Sequence, residues 1–75
     1  MKVRVDAVVV GEETKSIKFT VLDDQENAIG DGVINVAKDA TDEEIKTKIT
    51  EAAKKIVEQH EEAKRIKESI GEIEI

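Results

Sequence analysis

Apolar and polar side chains alternate with a period of two over three stretches of the chain, then switch to helical spacing. In Lys2–Val10, the residues Val3, Val5, Ala7 and Val9 fall on one side of the alternation, and Lys2, Arg4 and Asp6 on the other. Val8 and Val10 make the end of that stretch apolar on both sides. Lys15–Asp23 sets Ile17, Phe19 and Val21 against Ser16, Lys18, Thr20 and Leu22. In Ala28–Ala37, Ile34 and Val36 share one face. β-Branched residues at this period predict strands. Gly11–Thr14 and Asp23–Asn27 hold the turn-forming residues between them. Such short connections predict a three-stranded antiparallel meander in the order 1-2-3. Gly30 and Gly32 predict a bulge or a bend in the third strand.

From Thr41 onward the spacing is helical. Thr41 with Glu44 three residues later has the form of a capping box, and Ala40 and Ile45 sit where a weak hydrophobic staple would form. Asp42, Glu43 and Glu44 sit at the positive end of the helix dipole, and Gly71 is a suitable stop. No Gly or Pro interrupts Thr41–Ile70, so one long amphipathic helix is expected on one face of the sheet. Asp42–Lys46, Glu44–Lys48, Glu51–Lys55 and Glu61–Arg65 have the favourable i,i+4 order. Ile45, Ile49, Ala52, Ile56, Gln59, Ala63, Ile66 and Ile70 step by alternating fours and threes, which is a heptad seam with one polar position. The same stripe also serves packing on a sheet, and it is broad only as far as Val57.

A helix of about 30 residues spans ~45 Å, against ~30–33 Å for strands of nine or ten. The helix should therefore outrun its sheet, leaving Ala63, Ile66 and Ile70 in need of cover unless it breaks near Gln59–Glu62. Glu72–Ile75 alternates and predicts a short C-terminal strand, on its own sheet edge or on a partner's. The face opposite the helix should carry Val8, Val10 and Leu22 among polar residues, as a second adhesive surface. The whole is expected to be one small two-layer α+β domain over residues 1–75.

Composition narrows the chemistry. Apolar residues are 39 % of the chain, including nine Val and ten Ile, which separates it from a disordered acidic tail. The absence of Cys removes disulfide, Cys-ligated metal and thiol chemistry. Eighteen acids against twelve bases give a net charge of −6, the wrong sign for a nucleic-acid binder. No apolar run approaches the ~20 residues of a membrane span, and no signal-like segment opens the chain, so a cytoplasmic location is expected.

Catalytic groupings are sparse. His60 is the only histidine, and Ser16 and Ser69 lie in no nucleophile-elbow setting. Gly30-Asp31-Gly32 lacks the third glycine and the following helix of a dinucleotide fingerprint. The 23–31 segment gathers Asp23, Asp24 and Asp31 as weak ligands for Ca²⁺ or Mg²⁺, although Ala28 and Ile34 stand where an EF-hand needs Gly and Glu. The expectation is a non-enzymatic protein-interaction or structural module without a cofactor, self-associating as a homodimer. Its interface candidates are Ala63, Ile66, Ile70, Ile73, Ile75, Val8, Val10 and Leu22. A divalent-cation domain using the 23–31 turn is the alternative, and a small enzyme with a carboxylate pair is the third reading.

Overall fold

A computed structural model describes all residues, Met1–Ile75. Three strands, β1 (Lys2–Val10), β2 (Thr14–Leu22) and β3 (Ala28–Ala37), precede one helix, α1 (Asp42–Ile70). The strands form an open antiparallel sheet in the order β1-β2-β3. This is the expected α+β meander with a helix on one face. Glu72–Ile75 forms no strand in the single chain. The segment leaves from the far tip of α1, beyond the end of the sheet, and meets no strand edge there.

Phe19, Ile17 and Val21 point from β2 towards α1 and form the centre of the core, with Phe19 fully buried. Val36 joins them from β3, and Ile49 and Ala53 from the helix. Two glycines set how closely the layers approach. Gly30 pairs with Val21 and Gly32 with Phe19, so both lie on the helix-facing side of β3. A Cβ at Gly30 would stand 2.5 Å from Ile56 Cγ2, and one at Gly32 would stand 2.8 Å from Phe19 Cζ. Neither glycine needs a left-handed backbone. They are there for close approach, and the irregularity in β3 falls beside them, at Ile29, between the Val21–Gly30 and Leu22–Ala28 pairs.

A second bulge changes the faces of β1. Val5 pairs with Phe19 and Ala7 with Lys18, which leaves Asp6 without a partner on β2. Each one-residue slip moves all following side chains to the other face. Val8 therefore pairs with Ile17 and Val10 with Lys15 on the helix side, while Ala7 and Val9 turn outward. The expectation that Val8 and Val10 lie opposite the helix is corrected by this bulge. Leu22 is corrected as well: it is 7 % exposed, between Lys2 and Ala28 at the sheet end, and presents no adhesive surface.

The helix begins as its sequence dictates. Thr41 is the N-cap and its hydroxyl accepts a hydrogen bond from the Glu44 N–H at 3.2 Å. Ala40 and Ile45 both pack against the core. At the far end Gly71 takes φ 57° and its N–H bonds the Lys67 carbonyl at 2.8 Å. The four expected i,i+4 ion pairs are open; Arg65 instead approaches Glu62 at 4.0 Å. Such exposed pairs contribute little, so the helix does not depend on them.

The tight seat of Ile56 gives a stability prediction. Gly30→Ala should destabilise the protein by about 1–3 kcal/mol through overpacking. Combined with Ile56→Ala, it should cost less than the sum of the two single changes, because the clash is gone. Urea unfolding of the three variants checks this, and strict additivity would contradict it.

Candidate functional site

α1 lies along β3 and β2 and runs antiparallel to both β3 and β1, because the short Lys38–Thr41 connection turns the chain straight back. Its last half-buried residue is His60, which passes the β2–β3 turn closely enough to influence Asp23. Every residue from Glu61 to Ile75 is exposed. The helix is continuous through Gln59–Glu62, so ten residues, ~15 Å of helix, project past the sheet. Ala63, Ile66 and Ile70 lie on this tip, with Ile66 at 42 % and Ile70 at 55 % exposure. Ile73 and Ile75 extend the apolar surface beyond it.

The second surface is β1, in which all nine residues are exposed. A helix is ~10 Å wide and strands are ~4.8 Å apart, so one helix covers about two strands. β1 is the strand left bare. Val3, Val5, Val8 and Val10 all face the helix side, yet they remain 40–60 % exposed. Between β1 and α1 runs an open groove of about 430 Å³, floored by Val3, Val21, Ala53 and Val57 with Met1 at its mouth. Val3 and Val5, which the alternation sets on one side of the strand, belong to the uncovered strip. The available signal was the count of elements, since a single helix cannot roof three strands.

Asp6 holds the bulge that aligns this strip. Its carboxylate accepts hydrogen bonds from Thr20 Oγ1 at 2.5 Å and from Arg4 Nε at 2.7 Å, on the face away from α1. The Thr20 hydroxyl, then the Arg4 side chain, hold its carboxyl below the usual carboxylate range.

The acidic turn is occupied by its own backbone. Asp23 Oδ1 accepts hydrogen bonds from the N–H groups of Gln25 and Asn27, both at 2.9 Å. The Asn27 N–H, then that of Gln25, depress the Asp23 carboxyl, with His60 adding a smaller favourable interaction. Glu26 takes a positive φ of 64° within the turn. Asp24 is exposed, and Asp31 lies within β3 opposite Thr20. The structure does not gather Asp23, Asp24 and Asp31 into one cluster.

No helix of the chain is long and apolar enough to cross a membrane. Neither a family model nor a curated protein nor a solved structure matches the chain. The functional reading therefore rests on geometry, and the geometry offers two uncovered apolar surfaces: the helix tip and the β1 strip with its groove.

Both depressed carboxyls make stability depend on acid. Their stabilisation is complete above the unfolded-state value of about 3.9 and is lost as pH falls through the lower folded-state values. Asp6→Asn should lower stability at neutral pH and lose less than the wild type on acidification from about pH 5 to pH 3. Urea midpoints across that range check it, and parallel curves for the two proteins would contradict it.

Proposed function

We propose that the protein is a non-enzymatic self-association module, a homodimer in which helix tips and β1 strips shelter one another. The observation that carries this reading is excess surface. A compact 8.3 kDa monomer exposes roughly 4,600 Å², whereas this chain exposes 6041 Å². Its radius of gyration is 15.8 Å, against about 11 Å for a compact chain of this length. A standard interface covers roughly 800 Å² per partner, which lies within that excess.

The core supports the same reading. Only eight of 75 residues are buried, so a single copy has little apolar burial to set against chain entropy. A second copy supplies the missing cover.

Sedimentation equilibrium tests the proposal. The wild type should be a dimer in the micromolar range. Ile66→Asp with Ile70→Asp should be monomeric and keep its helical circular dichroism, because both residues lie beyond the core. A wild type that stays monomeric at about 100 µM would contradict it, since specific interfaces of standard size commonly hold at micromolar concentration or below.

A further inference from the structure

The sheet has an open edge at β1, and Glu72–Ile75 is an unpaired segment with strand alternation. We infer that the two meet between copies: Glu72–Ile75 of one chain adds as a fourth strand to the β1 edge of the other. This rests on the self-association proposed above and specifies its partner segment.

Reach excludes pairing within one chain. β1 begins at the sheet end where Lys2 faces Leu22, beside the turn that His60 passes. From there α1 runs ~15 Å outward before Gly71. Residues 71–75 span at most about 17 Å when extended. They are used up in returning to the sheet end, before any pairing along β1 and before the sideways step from β3 to β1.

In a second copy the geometry is favourable. α1 and β1 run in opposite directions within one chain. When two copies related by a two-fold axis point their helix tips at each other, a segment continuing from one tip runs parallel to the other copy's β1. In that arrangement Glu72 and Glu74 take the face of Lys2 and Arg4, and Ile73 and Ile75 extend the strip of Val3 and Val5. The charges are complementary. Lys2 and Arg4 are exposed and engaged only in surface pairs with Glu26 and Asp6. Such pairs are weak, and both cations retain free donors. The pairing has a natural limit, because four residues reach from Lys2 to Val5 and stop at the Asp6 bulge.

Charge reversal tests the inference. Glu72→Lys with Glu74→Lys should weaken the dimer about tenfold, read as its dissociation constant by sedimentation equilibrium. Adding Lys2→Glu, which leaves the Arg4–Asp6 hydrogen bond at the bulge in place, should recover part of the loss. Net charge alone would act in the opposite sense: each Glu→Lys change adds two charges, taking the chain from −6 to −2 and easing repulsion. A wild-type dimer whose constant is unmoved by the tail reversal, or a tail-reversed dimer that Lys2→Glu does not strengthen, would overturn the inference and leave self-association standing. A monomeric wild type would overturn both.

Discussion

A helix gains about 1.5 Å per residue and a strand about 3.3 Å, and here 29 helical residues follow a strand of ten. Most of the molecule's shape follows from that mismatch. The first two turns of α1 are tied to β3 by a four-residue connection and the Thr41 cap, so the excess length can emerge only at the other end. Ile49, Ala53 and Ile56 spend the matched part of the helix on Phe19, Ile17, Val21 and the glycines of β3. Beyond His60 the same apolar stripe continues with nothing of its own chain beneath it.

Width imposes a second mismatch. One helix roofs two strands, and the third strand of the meander is left at the edge with its valines uncovered. The Asp6 bulge makes this consequential. Without the slip, Val8 and Val10 would face away from α1; with it, four valines of β1 share the helix-side face, and Val3 among them lines the groove. The hydrogen bonds from Thr20 and Arg4 to Asp6 thus fix the alignment of the proposed binding strip. Long exposed apolar edges are ordinarily blunted because they attract other strands. Here Lys2 and Arg4 supply charge at the start of the edge, and they are the residues that would recognise the acidic Glu72–Ile75 segment.

Much of this fold is legible from the residues. Period-two alternation marks all three strands, and the Thr41–Glu44 spacing and Gly71 mark the helix ends within a residue. The helix tip is legible too, because Ala63, Ile66 and Ile70 continue a seam past any strand of this length. The faces of β1 are not. A single unpaired residue at Asp6 reverses them, and its stabilising partner Thr20 lies on another strand, 14 positions away. Leu22 fails for a related reason, since alternation assigns a face but not whether the strand end is covered. The glycines of β3 signal irregularity in the sequence, yet their reason is the nearness of Ile56, which only the packed layers reveal.

The central claim is that the projecting end of α1 is sheltered by a second copy of the chain. Amide hydrogen exchange of residues 61–70, followed over a dilution series, tests it most directly. Protection of these amides should rise with protein concentration, in step with dimer formation, while the amides around Ile49 and Ala53 change far less. Equally fast exchange of the 61–70 amides at every concentration would contradict the account.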